Sequence, residues 1–190
     1  MLQQIAELLV SAVTGFFVYL LLARFLFQWL RVPFRNAVGE FIVAATSWMV
    51  VPARRVIPPL AGLDLASLLL AWLVQVLALF LIYAIGSRGI GADPAALAIV
   101  LSLVALVDLV RFTVFILVFA LIVQAVLSWV SPYSPVAPLF DALTRPFLRP
   151  LRRVVPPLGG VDLSPLVLIV LLQVLLIPID HLRGLPGSLF

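Results

Sequence analysis

The 190-residue chain is 65% hydrophobic and 11% charged, with a mean hydropathy of +1.29 and a net charge of +4. Soluble domains are about 45–50% apolar and about 25% charged, so one water-soluble core cannot hide this much apolar surface, and an all-α, multi-pass membrane protein is expected. There is no cysteine and a single histidine, His181, which excludes disulfides, thiolate chemistry, covalent haem attachment and a Cys/His zinc site.

The first apolar run, residues 5–30, is long enough to cross a hydrocarbon core of about 30 Å. It lacks a basic leader and a small-residue cleavage site, so a retained helix is expected rather than a signal peptide. Arg24 lies near its far end, within snorkelling reach of the headgroups or of a neighbouring helix. A loop follows with Arg31 and Arg35, then the stretch "FIVAATSWMVV" from Phe41. As a helix that stretch is only about 17 Å long, so it is expected to lie at the interface.

Next comes "PARRVIPPLAGLD", from Pro52 to Asp64. Pro52, Pro58 and Pro59 predict a stiff, non-helical turn, and Gly62 gives it flexibility. Asp64 is placed to cap the second span, residues 65–85, by accepting N–H groups of its first turn. That span contains Gln75 and ends at a glycine-rich turn, residues 86–91.

Residues 95–130 are almost wholly apolar, and one straight helix over them would be about 54 Å long. The third span is placed at about residues 111–130. Residues 95–107 are read as an extra apolar helix, at the interface or extending a tilted span. Asp108 and Arg111 are three apart, share a helix face, and are expected to pair at the outer interface. Gln124 stands where the first span has Arg24.

The loop after the third span carries "LFDALTRPFLR" from Leu139, then "PLRRVVPPLGGVD" from Pro150 to Asp162. This phrase repeats the earlier one at an offset of 98, with nine of thirteen positions identical. Pro150, Pro156, Pro157, Gly160 and Asp162 match Pro52, Pro58, Pro59, Gly62 and Asp64. Thr144 and Gln173 match Thr46 and Gln75 at the same offset. The fourth span, about residues 163–179, opens after Asp162, with Pro165 in its first turn where a missing N–H is tolerated. His181 beside Asp180 follows as a surface residue.

Two halves result, 1–92 and 93–190, each a span, a loop and a span. Eight of the twelve arginines lie in the two long loops, and short arginine-rich loops stay in the cytoplasm. Four passes put both loops on that side, with both chain ends outside, so the halves are parallel repeats. Arg54, Arg55, Arg152 and Arg153 carry two open readings. They dock anionic lipid headgroups or an acidic partner, or they set topology and pair with Asp64 and Asp162. Arg24, Gln75, Gln124 and Gln173 are polar groups within the spans, open to interhelical bonding or to a functional cluster.

The duplicated P-x-R-R-x-x-P-P-x-x-G-x-D followed by an apolar helix resembles the YggT family, also called YlmG-like. The first-span segment "LLLARFLFQWLRVPF" carries the same resemblance, which covers nearly the whole chain. It implies a bacterial inner-membrane protein with links to osmotic-shock tolerance, potassium uptake, cell division or nucleoid distribution. Chloroplast relatives are linked to nucleoid partitioning and to haem attachment in cytochrome b6f. No catalytic residues come with it. With one histidine and no P-loop, GxSxG or HExxH pattern, no enzyme, cofactor, metal site or direct nucleic-acid contact is expected. The leading expectation is a scaffold or assembly factor working with lipid and a membrane-protein partner or further copies of itself. The alternative is an oligomeric ion channel or transporter component.

Overall fold

The computed structural model describes residues 1–59, 62–86, 93–131, 133–154 and 162–184, apart from the side chain of Trp129. Six helices follow in order: α1 (Leu2–Trp29), α2 (Ala37–Val56), α3 (Leu65–Ile85), α4 (Pro94–Val130), α5 (Ala137–Leu151) and α6 (Ser164–Gly184). Four of them, α1, α3, α4 and α6, are long and apolar enough to cross a membrane, and they mark a membrane protein. Their exposed faces are apolar, as on α3, where Leu69, Leu73, Leu77 and Phe80 form an outward stripe at helical spacing. The opposite face of α3 presents Ala66, Ala71 and Ala78, small residues that let backbones approach closely in a membrane.

α1 ends in a Schellman motif. The Val32 N–H donates to the Phe27 carbonyl (2.8 Å) and the Arg31 N–H to that of Gln28 (3.3 Å). Arg31 takes the left-handed conformation the motif needs, with φ 54°. Val32 and Phe27 are both buried, which supplies the accompanying apolar contact. This turn feeds α2, capped by Asn36, whose side chain accepts the Gly39 N–H at 2.9 Å.

α2 and α5 sit at the same end of the bundle. Ile42 of α2 and Leu139 and Leu143 of α5 share one cluster with Leu26 and Phe27 of α1 and with Leu117 and Ala120 of α4. A second cluster joins Val18, Leu21 and Leu22 of α1 to Val50, Ala66, Ala71 and Leu109. α1 therefore packs against α2, α3 and α4, and its Leu26 and Phe27 share the first core with α5.

Residues 95–107 extend the third span, one of the two readings the sequence left open: α4 runs unbroken for 37 residues, about 55 Å. No glycine or proline interrupts residues 95–130, and the polar residues Asp108 and Arg111 find partners on neighbouring helices instead of marking a helix end. The first arginine pair does not lie in a stiff, non-helical turn, whereas Arg152 and Arg153 do lie in the turn that follows α5. α2 carries Pro52 inside it and continues through Arg54 and Arg55, and α5 contains Pro146 and Pro150. Each proline removes one helical hydrogen bond, but the flanking turns persist, as the Ile57 N–H to Ala53 carbonyl bond at 2.9 Å shows.

Gly39 is buried where a Cβ would lie 2.5 Å from the Phe34 carbonyl oxygen, a backbone atom that cannot swing aside. Gly39→Ala is expected to destabilise the protein by about 1–3 kcal/mol, the usual range for overpacking. Thermal melting in detergent checks this, and a midpoint equal to the parent's would contradict the tight turn.

Candidate functional site

The polar residues of this apolar chain gather in three places. The first lies where α1, α2 and the start of α3 meet. Asp64 is 1% exposed and caps α3, accepting the Ser67 hydroxyl at 2.6 Å and, more weakly, the Ser67 N–H at 3.4 Å. Arg54 grips the same carboxylate with two bonds, Nε to Oδ1 at 3.2 Å and Nη2 to Oδ2 at 2.6 Å. The Gln28 side chain accepts a further bond from Arg54 at 3.1 Å and donates to the Gly62 carbonyl at 3.3 Å. Gly62 has φ +82°, a conformation that L side chains rarely adopt, so this glycine provides backbone geometry and not merely flexibility.

Arg24 completes the cluster from within α1. It is 5% exposed and does not snorkel. Its Nη1 donates to Thr46 Oγ1 at 2.7 Å and to Ser47 Oγ at 3.3 Å, and its Nε lies 3.7 Å from Asp64 Oδ2. α2 crossing α1 brings the two hydroxyls to it, and an interhelical bond replaces the reach to the headgroups.

The second place is the matching region of the other half. Gln124 of α4 accepts from the Thr144 hydroxyl at 2.6 Å and donates to Asp141 at 3.2 Å. Asp141 also pairs with Arg145. Arg152 binds Asp162 through Nε at 2.8 Å, and Asp162 accepts the Ser164 N–H at 2.9 Å. Thus Arg54 and Arg152 each bind the aspartate ten residues on. Arg55 and Arg153 are exposed and form no ion pair with a described residue. Pro52, Pro58, Pro59 and Pro150 are exposed. Pro156, Pro157 and Gly160 lie outside the described residues. Beside this region a groove of about 600 Å³ is lined by Gln124, Ser128, Tyr133 and Asp141 among others.

The third place was not foreseen. Asp108, fully buried on α4, does not pair with Arg111. It accepts from Gln75 Nε2 of α3 at 2.7 Å and from Arg183 Nε of α6. Arg111 pairs with Asp180 of α6 at 2.8 Å and lies over the Phe115 ring. The cause can be read in the sequence once α4 and α6 are known to run antiparallel. Residues 108–111 read "DLVR" and residues 180–183 read "DHLR". Two D-x-x-R phrases on antiparallel helices set each aspartate opposite the other's arginine. Gln173 is exposed on α6 and joins no cluster with Gln75, and His181 is exposed in the last turn of α6.

Comparison with known proteins adds the family. A family model described as CCB3/YggT matches residues 3–85 and 103–182. The chain belongs to the CCB3/YggT family. It is 36% identical over 174 residues to an uncharacterised protein of Pseudomonas aeruginosa, covering 90% of this chain and 86% of that one. A Vibrio alginolyticus protein is 37% identical over 169 residues, covering 87% and 88%. The uncharacterised protein YggT of Escherichia coli K12 is 30% identical over 182 residues, covering 95% and 92%. No solved structure matches. Both matched stretches of the CCB3/YggT model contain one of the ion-paired aspartates, Asp64 and Asp162.

Those two carboxylates differ in depth. Burial alone would raise the Asp64 carboxyl, but the bonds from Arg54 and Ser67 and the charge of Arg54 outweigh it and lower the pKa. For Asp162 burial again pushes upward, and the bonds from Ser164 and Arg152 bring the net shift down. A lowered folded-state pKa contributes stability that is present above the ordinary aspartate value and lost as pH falls through the folded one. Asp64→Asn is expected to cost about 3 kcal/mol, since it strands two arginines. Asp162→Asn, whose pair is over 40% exposed on each side, is expected to cost at most about 1 kcal/mol. Melting in detergent against pH checks both: Asp64→Asn should flatten the acid loss of stability, and equal effects of the two variants would contradict the difference in burial.

Proposed function

We propose that the chain is a non-enzymatic scaffold or assembly factor of the bacterial inner membrane. In this reading α1, α3, α4 and α6 are four passes of two parallel repeats, with both ends outside and both arginine-rich loops in the cytoplasm. The positive-inside rule supports that orientation. The equal ten-residue spacing of the Arg54–Asp64 and Arg152–Asp162 pairs supports the repeat. The outward face of α2, with Phe41, Trp48 and Val51 exposed, supports an interfacial placement of that helix.

One observation carries the scaffold reading. In each half the first arginine of the pair is tied to an aspartate, while the second, Arg55 or Arg153, is exposed without an ion partner among the described residues. Helical geometry produces the split on α2, because neighbouring residues point about 100° apart. Two equivalent cationic points on one face suit an acidic surface of a membrane-protein partner better than they suit chemistry. The alternative, an ion-conducting oligomer, needs a polar lining. The described charges within the spans are instead held by one another or by hydroxyls.

The test is charge reversal at Arg55 and Arg153 together, read by site-specific photocross-linking from α2 and α5 in cells. The double variant is expected to insert and melt like the parent while losing its protein cross-links. Cross-links at parental yield would overturn the reading. So would potassium flux through liposomes containing the purified, folded protein.

A further inference from the structure

The first polar cluster does not balance its charge. Arg24 and Arg54 both face Asp64, and both approach the same oxygen, Oδ2, at 3.7 Å and 2.6 Å. Thr46 and Ser47 accept from Arg24 Nη1 and Gln28 from Arg54 Nη2, but these are neutral groups. Two guanidiniums and one carboxylate leave one excess positive charge around a side chain that is 5% exposed. Uncompensated charge in so apolar a setting is costly and recruits a counter-ion.

The other half provides an internal comparison. There Gln124 replaces Arg24, and the two arginines of the matching cluster each have their own anion, Arg145 with Asp141 and Arg152 with Asp162. The same architecture is neutral in one half and cationic in the other. The excess charge therefore belongs to Arg24 and is not needed to build the fold of a half.

We propose that the first cluster is a binding site for one monoanionic phosphate group, gripped by Arg54 with Arg24 behind it. Arg54 is about one-third exposed, at 35%, and its Nη1 has no partner among the described residues, which leaves a charged donor for a phosphate oxygen. Asp64 directly precedes the apolar span of α3, which sets the cluster at the depth of lipid headgroups. A phosphodiester of an anionic phospholipid carries the single negative charge that the cluster lacks. Soluble phosphate esters share that chemistry. The site is separate from Arg55 and Arg153, so it does not rest on the scaffold reading.

Native mass spectrometry of the protein released from nanodiscs tests it, with phosphatidylglycerol and phosphatidylcholine as the probes. The parent is expected to retain one phosphatidylglycerol in preference to phosphatidylcholine, and Arg24→Gln to lose roughly tenfold in affinity, about the effect of one charge-assisted contact. Gln124→Arg, which sets a second arginine on Asp141, is expected to add a second retained phosphatidylglycerol. This gain keeps the test decisive if Arg24→Gln folds poorly. Displacement by glycerol phosphate at equal concentration would support the site and assign it to a soluble ester. Equal retention of the two lipids by the parent, or no gain in Gln124→Arg, would overturn the proposal.

Discussion

A charge inside so apolar a chain has to meet a counter-charge on another helix, and the structure is organised around the places where that happens. Asp64 joins α2 to α3 through Arg54, and α1 to both through Arg24. Asp108 joins α4 to α3 through Gln75 and to α6 through Arg183. Apolar packing between helices is a weak discriminator in lipid, because acyl chains are as apolar as leucine. The charged contacts therefore select partner and register, and small residues such as Ala66 and Ala71 let the helices close around them.

The duplicated arginine–proline phrase is best understood through this constraint. Its first arginine and its aspartate form a clasp between the end of the short helix and the start of the next span. Its second arginine lies outside the clasp. The copies have diverged in depth: Asp64 is buried at 1% exposure, whereas Asp162 is 41% exposed. The first half is thus the more tightly held, and the half with the unbalanced charge.

Much of the fold was legible in the sequence. The four apolar helices followed from composition and length, and the capping roles of Asp64 and Asp162 followed from their place before a span. The charged contacts within the spans were not legible, for physical reasons. Asp108 and Arg111 share a helix face, which favours pairing with each other until a neighbouring helix offers a better partner. That partner could be found only by setting "DLVR" antiparallel to "DHLR", which requires knowing that α4 and α6 are neighbours. For Arg24 the sequence left snorkelling and an interhelical bond both open, because the hydroxyls that hold it, Thr46 and Ser47, lie on a helix whose crossing of α1 leaves no mark in the local sequence. The helical course through Pro52 was hidden as well, since proline penalises a helix locally while Arg54 and Asp64 hold it in place from a distance.

Specific charge pairs between helices hold this membrane bundle together. A double-mutant cycle on Asp108 and Arg183, read by thermal stability in detergent, puts this to the test. Arg183→Gln alone strands a buried carboxylate and is expected to cost about 2–4 kcal/mol, whereas the same change in an Asp108→Asn background should cost almost nothing. Losses that simply add, with Arg183→Gln equally costly in both backgrounds, would contradict the pairing and with it the account of how α4 and α6 are joined.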